Sequence, residues 1–387
     1  MPKSKDGEIF KEFKSAKEVD SPESLEELSE EELKHLEFLG LGGSLPKEGE
    51  FLQVDGKALV CKKEVEGLEI LPIKEALSKY EWAKKYYWKL LSPKRDSVTR
   101  VAYEDLDDGY FVRVLPGQKL VYPVQACLYI HTEKISQKVH NIVIVEEGAE
   151  LNLITSCAVA PHVNSAFHIG VSEYYIKKNA KLTFTMLHAW TPATIVRPKT
   201  GVLIEEGGTF ISTYVSLFPV KSIKSFPTCR LVGSGAKASL ISIIVNHPGS
   251  HVDVGGEVIL EKEGTRADIV SRTVIYGGEN IAKSRIVAKA PKVKGHLECQ
   301  GLMLSDDGIM QAIPELTSYY SDVELTHEAA VGKIAREEVE YLMARGLSED
   351  EAVSLIVKGF LSVKVEGISP ELQKEIDKAV SLAGGGF

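Results

Sequence analysis

Five turns recur through the middle of the chain at nearly constant spacing, and no other feature restricts the possible folds so tightly. Gly148-Ala149-Glu150-Leu151-Asn152-Leu153 is echoed by Asn179-Ala180-Lys181-Leu182-Thr183-Phe184 and again by Gly207-Gly208-Thr209-Phe210-Ile211-Ser212. Two further copies are Gly235-Ala236-Lys237-Ala238-Ser239-Leu240 and Gly264-Thr265-Arg266-Ala267-Asp268-Ile269. Their first residues stand at 148, 179, 207, 235 and 264, in steps of 31, 28, 28 and 29. Each copy is a short turn followed by a strand, and the glycine or asparagine at its head tolerates the positive φ of a sharp reversal. A fixed period in β-rich sequence describes stacked units, none of which buries its apolar face alone. There is no WD or kelch signature and no helical pattern between the strands, so a mainly β chain folded as a β-helix or β-solenoid is expected. Alternation along Leu182, Phe184 and Met186 sets these three on one strand face, directed inward.

The β-rich core is expected over 98–325, between a mostly helical region 1–97 and a helical region 326–387. Ser21 followed by Pro22 reads as a helix start. Ser29 and Glu32 form a capping box that opens a helix with Leu33, Leu36 and Leu39 on one face, ended by the glycines of 40–43. A second helix is expected over about 72–91, with Ile73, Ala76, Leu77, Tyr80, Tyr87 and Leu91 as its apolar stripe. Beyond Thr326, a helix over 335–344 stops at Gly346. Ser348 and Glu351 cap a second one carrying Val353, Ile356, Val357 and Phe360, and Ser369 with Pro370 opens a last one carrying Leu372, Ile376, Ala379, Val380 and Ala383.

Composition and motifs remove most function classes. Across 387 residues the net charge is −9, which argues against nucleic acid or an anionic membrane surface as partner. The longest apolar runs, such as 240–245, fall far short of the roughly 20 residues that span a bilayer. Residues 1–6 carry charges with no apolar stretch behind them, so no secretory signal is expected. The five cysteines are an odd number, lie far apart and include no Cys-x-x-Cys, which fits a reduced chain in the cytoplasm. Dinucleotide fingerprint, P-loop and nucleophile elbow are all missing. His327-Glu328 begins like a zincin motif, but Val331 stands where the second histidine is required.

What remains is a set of metal-ligating residues near the end of the repeats. His327 and Glu328 follow Cys299 by 28 and 29 residues, so a solenoid of that period sets them on adjacent coils. Thiolate, imidazole and carboxylate together suit iron or zinc. The plainer readings are a buried small hydrophobe for a lone cysteine, Cys157 included, and a helix cap for a histidine–glutamate pair. His162 and His168 match no ligand spacing, and His188 shares a strand face with Trp190.

The segment Glu324-Leu-Thr-His-Glu-Ala-Ala-Val-Gly-Lys-Ile334, with Tyr341-Leu-Met-Ala-Arg-Gly-Leu-Ser-Glu-Asp-Glu-Ala-Val-Ser-Leu-Ile-Val-Lys-Gly-Phe360, resembles the C-terminal signature of the SufB/SufD family. These are scaffold components of the SUF iron–sulfur cluster assembly system. The likeness extends more weakly through Ser156-Cys-Ala-Val-Ala-Pro161 and the Trp190 region. It implies a right-handed parallel β-helix between helical regions, and a scaffold that is not itself an enzyme. It further implies C-terminal helices that dock on an ABC-type ATPase, SufC, and dimerisation through the β-helix ends around a transient iron–sulfur cluster. By the same resemblance, Cys299, Glu328 and His327 hold the nascent cluster, Cys157 receives sulfur, and Trp190 and Lys199 line an internal sulfur route. Glutamate after His327, where SufD-type chains carry glycine, makes the chain more SufB-like, and its departures from bacterial SufB, a shorter chain among them, suit a compact archaeal-type version acting as a homodimer. His188 stands where SufB commonly has glutamine. The alternatives are a SufD-like partner without its own cluster and, from another class, a β-helix carbohydrate enzyme, which needs paired acids on an exposed solenoid face.

Overall fold

The computed structural model describes residues 10–41, 46–362 and 374. It is mainly β, with 49% strand and 17% helix, wound as a solenoid of about 8 turns. The expected turns pace the winding. Gly148, Asn179, Gly207, Gly235 and Gly264 all have φ between 55° and 74°, and Gly117 and Lys292 extend the series at either end. Each turn is tied to the next by its backbone. The N–H of Gly148 donates to the Lys178 carbonyl, that of Asn179 to Glu206, that of Gly207 to Ser234, and that of Gly264 to Lys292, at 2.8–3.1 Å. Lys292 is a residue type that adopts positive φ at a cost, so the repeat there is invisible to a search for glycine.

Successive strands alternate between two parallel ladders. Glu150–Val159, Lys181–Ala189, Thr209–Ser216, Lys237–Asn246, Arg266–Ile275, Val293–Met303 and Val323–Lys333 stack in one sheet. Phe167–Ile176, Lys199–Ile204, Thr228–Leu231, His251–Leu260, Gly278–Ala288 and Gly308–Ser318 stack in the other. Leu182 and Phe184 are buried in the core between the sheets with Met186 packed against it, as the alternation required.

The flanks differ from the sequence reading in instructive ways. Helix α1 (Glu30–Phe38) forms with its Ser29–Glu32 capping box, and Leu36 and Leu39 are buried while Leu33 faces solvent. Ser21 starts no helix; its hydroxyl bonds Asp55 Oδ2 at 3.0 Å, and only a one-turn 3-10 helix, Leu25–Glu27, follows. Strands Gly49–Val54, Lys57–Lys63 and Leu68–Pro72 then add to the two sheets.

The helix expected over 72–91 is cut to α2 (Ile73–Lys79) and a 3-10 turn, Glu81–Lys85. The cause lies far away in sequence. The N–H groups of Trp88, Lys89, Leu90 and Leu91 all donate to the Glu173 carboxylate, at 2.5, 2.6, 2.5 and 3.2 Å. His140 Nε2 stands 2.9 Å from the same group. A helix would spend those N–H groups on its own carbonyls; a fully buried carboxylate needs them more.

Helix α3 (Ser97–Glu104) crosses the outside of the second sheet. At the far end, helices α4 (Arg336–Met343) and α5 (Glu349–Leu361) stand as expected, with Ser348 capping α5 and Gly346 at φ 99° between them. Val357 and Leu361 pack on the outer face of the first sheet against Ile241, Ile243 and Val274. The helix expected from Ser369 lies outside the described residues. Residues 323–333 form a strand running past position 325, so His327 and Glu328 cap no helix. Its pairing with Val293–Met303 outweighs the helix-favouring Glu and Ala content. It and Gly308–Ser318 are the last strands of their sheets among the described residues, and Ile309, Ile313 and Val331 are exposed there.

Candidate functional site

Cys157 and Cys299 both point into the rod. Cys157 lies in Glu150–Val159 at 1% exposure, with its Sγ 3.6 Å from Met186 Sδ. Burial pushes its thiol far above the ordinary range. Cys299 lies in Val293–Met303, also buried, with its Sγ 4.0 Å from Ser284 Oγ. Burial raises this thiol as well, and the Ser284 hydroxyl offsets part of the rise.

The sheet register links the two. Thr155, Met186, Tyr214, Ser242, Ser271 and Cys299 are direct partners on successive strands, so they form one interior row. The row begins one pleat from Cys157, and the five strand-to-strand steps at about 4.8 Å carry it roughly 24 Å along the rod. Beside it runs an internal cavity of about 70 Å³, lined among others by Met186, Ser212, Tyr214, Ser242, Gly255 and Ser284. Met186 touches Cys157 and Ser284 touches Cys299, so the cavity reaches the neighbours of both sulfurs. Ser271 Oγ is buried in the row without a hydrogen-bond partner. The row was hidden in the sequence, although its members stand at 186, 214, 242, 271 and 299, in step with the turns.

Trp190 packs beside His188, the strand partner of Cys157. It is buried, with the His168 and His188 rings each 5.2 Å away by centroid and its indole N–H without a partner. Tyr214 Oη and His188 Nδ1 are 2.9 Å apart. Burial pushes both His168 and His188 down to about 3, so both rings are neutral at ordinary pH.

Lys199 is elsewhere. Its Nζ is 2.8 Å from Asp96 Oδ2, the N-cap of α3, on the outer face of the second sheet. Adjacent Thr200, pointing the other way, lines the cavity. The structure therefore does not bring the Lys199 ammonium to the interior route or to Cys157.

The trio at the rod end is arranged differently from the even 29-residue stacking expected. Pairing of the last two strands has a 30-residue offset, so Cys299 faces Ala329, Leu297 faces His327, and Glu298 faces Glu328. His327 shares the interior face of Cys299, one pleat away. Glu328 lies on the opposite face beside Glu298, which is held by Arg272. His327 and Glu328 are both exposed. Among the described residues the three side chains do not converge on a point; they lie on the last two coils of the first sheet.

Comparison with known proteins fits this architecture. The family described as "SUF system FeS cluster assembly, SufBD core domain" matches residues 128–360. An iron–sulfur cluster assembly SufBD family protein of Archaeoglobus fulgidus is 49% identical over 337 residues, covering 87% of this chain and 90% of the relative. One from Pyrococcus horikoshii is 36% identical, covering 83% and 72%, and one from Staphylococcus saprophyticus 28%, covering 83% and 70%. The chain belongs to the SufBD family of SUF iron–sulfur cluster assembly proteins.

Proposed function

We propose that the chain is a SufB-type scaffold: sulfur enters at Cys157, travels through the rod, and meets iron at Cys299. The observation that carries this reading is the interior row and cavity running from the neighbours of one buried thiol to those of the other. At about 24 Å the two sulfurs are too far apart for one to attack the other, so sulfur moves as a small species. A Cys157 persulfide anion takes two electrons and two protons from a dithiol or reduced-flavin donor. The S–S bond breaks, leaving the Cys157 thiol and HS⁻, which the cavity can pass, its mostly apolar wall offering the hydroxyls of Ser212, Ser242 and Ser284. Both thiols are held protonated by burial, so ferrous iron arriving at Cys299 must displace the proton, as metals do at cysteine.

The exposed final coil, with His327 and Glu328 on its two faces, is where a second copy completes the site; this supports a homodimer joined at the rod ends. Mixed sulfur, nitrogen and oxygen ligation holds a cluster less firmly than four thiolates, which suits a cargo that must be released. Tyr341, Met343 and Leu355 are exposed on α4 and α5 and offer an apolar surface to the SufC-type ATPase. The described cysteines are all unpaired, in keeping with the cytoplasm, and no described helix is long and apolar enough to cross a membrane.

The test is anaerobic reconstitution with ferrous iron and a persulfide donor, followed by visible absorbance and iron and sulfide analysis. Cys299→Ser abolishes the cluster, and Cys157→Ser abolishes it only when sulfur comes from the persulfide donor rather than from free sulfide. Full cluster content in Cys299→Ser overturns the assignment. Glu328 facing away from Cys299 favours a second reading, a SufD-like subunit with no cluster of its own; a wild-type homodimer that takes up no iron and sulfide would select it.

A further inference from the structure

Away from the interior row, Glu32, His131 and His162 meet on the outside of the rod. They come from separate elements: Glu32 from α1, His131 from the turn after Val124–Ile130, and His162 from the turn after Glu150–Val159. One donor atom of each lies within 4.8 Å of the donor atoms of the other two. Glu32 Oε1 is 2.7 Å from His131 Nδ1, and the two imidazole rings meet edge to face with centroids 5.1 Å apart.

Three details go beyond proximity. First, the carboxylate is aimed: Glu32 Oε2 accepts from the Ser29 N–H at 3.0 Å and the Ser29 hydroxyl at 2.8 Å, which leaves Oε1 for the histidines. Second, a hydrogen bond from one ring nitrogen orients His162. Its Nε2 is 2.9 Å from the His131 carbonyl oxygen; a carbonyl only accepts, so Nε2 carries the proton and Nδ1 the lone pair. Metal-binding histidines are oriented by this kind of second hydrogen bond. Third, Glu32 is 3% exposed, and among the described residues its ion-pair partner is His131, with no lysine or arginine beside it. A buried carboxylate without a permanent cation is an unusual burden unless one is supplied.

We propose that Glu32, His131 and His162 bind one divalent first-row transition cation that staples helix α1 to two successive coils. Two imidazoles and a carboxylate suit zinc or ferrous iron far better than magnesium or calcium. With metal–ligand bonds of about 2.0–2.2 Å, the donors must close to roughly 3.3 Å apart. The cation takes the place of the proton between Glu32 and His131, and the exposed His162 side chain supplies the movement. The staple matters for what α1 covers. Leu39, at the C-terminal end of α1, accepts a 2.9 Å hydrogen bond from Ser156 Oγ, the strand neighbour of Cys157. A cation here therefore fixes the segment lying over the outer face of the strand that carries Cys157. The site stands apart from the rod end and does not rest on the scaffold reading.

The test uses the full chain, freed of metal by chelator and titrated anaerobically with zinc, with cobalt as a spectroscopic substitute. Wild type binds one zinc ion more than His162→Ala, or binds it at least about 100-fold more tightly. The cobalt form shows visible bands without thiolate charge transfer, and zinc slows hydrogen exchange of the α1 amides in wild type but not in His162→Ala. His162 is exposed, so this substitution leaves the fold intact, which circular dichroism checks. Glu32→Gln also disturbs the capping box, so His162→Ala is the deciding variant. Equal zinc affinity and stoichiometry in wild type and His162→Ala overturns the proposal. So does equal protection of α1 by magnesium.

Discussion

Replacing Glu173 by glutamine should unlatch a segment more than eighty positions earlier in the chain. The amide can turn its oxygen towards Lys89, Leu90 and Leu91, which all donate to Oε1, but these become bonds to a neutral acceptor. Bonds to a charged group are roughly twice as strong, so the three together lose about 1.5–3 kcal/mol. The amide NH₂ then faces the Trp88 N–H and His140, and a buried donor left unsatisfied costs a further ~1–3 kcal/mol. The sum, about 2.5–6 kcal/mol, brackets the roughly 3–5 kcal/mol that breaking a buried charged interaction usually costs. At about 1.4 kcal/mol per decade, local opening of the 86–91 segment rises by roughly 10²–10⁴-fold. Lys84, Lys85 and Lys89 are exposed within or beside it, so limited trypsin cleavage under native conditions reads the opening directly. Native-state hydrogen exchange at Trp88 to Leu91 gives the same quantity without a protease. Cleavage and exchange within threefold of wild type would show that the cage around Glu173 does not hold this segment.

Substitutions along the rod separate packing from transport. Ser271→Ala removes a hydroxyl with no partner, so stability should stay within about 0.5 kcal/mol, whereas Ser271→Leu fills the row. The leucine should slow cluster formation from a persulfide donor but not from free sulfide, and equal slowing with both would count against an interior route. Lys199→Ala should loosen α3 by about 1 kcal/mol, read by denaturant titration, and leave cluster formation unchanged, because its ammonium is spent on Asp96; loss of the cluster with α3 intact would contradict the outer placement. His168 and His188 give a pH signature. Each is lowered to about 3 in the fold, against an ordinary 6.5, so below 6.5 the unfolded chain takes up protons that the folded chain refuses. Their stability contribution is full above pH 6.5 and declines as the pH falls towards 3. By linkage each should cost about 2 kcal/mol between pH 7.5 and 5. His188→Asn should flatten the denaturation midpoint over that range by about half of the pair's effect, and an unchanged slope would mean the ring is not held neutral.

Much of the rod was legible because its period is local chemistry repeated: a positive-φ turn, then an alternating strand. The same logic gave the inward direction of Leu182, Phe184 and Met186. What sequence reading missed depends on distant partners. Residues 72–91 carry a helical stripe, but Glu173 claims their N–H groups. Residues 323–333 look helical in composition, yet the neighbouring strand makes them β. Lys199 stands in the core region and still points outward, because strand parity and Asp96 decide its direction. The Cys299 relation slipped by one residue, since the last step is 30 rather than 29, and one residue in a strand reverses the face. The interior row needed only one extra operation: applying the turn period to the residues between the turns.

The backbone bond that joins each turn to the next makes the rod behave like a ruler with one graduation per coil. Distance between the two sulfurs cannot be tuned continuously; it changes by whole graduations of about 4.8 Å, as coils are gained or lost. Duplicating a complete coil would lengthen the passage and keep every inward side chain inward. Inserting a single residue within a strand would turn the lining inside out from that point on. Lengths among such proteins should therefore drift at the reversals and at the chain ends, while the spans between remain counted.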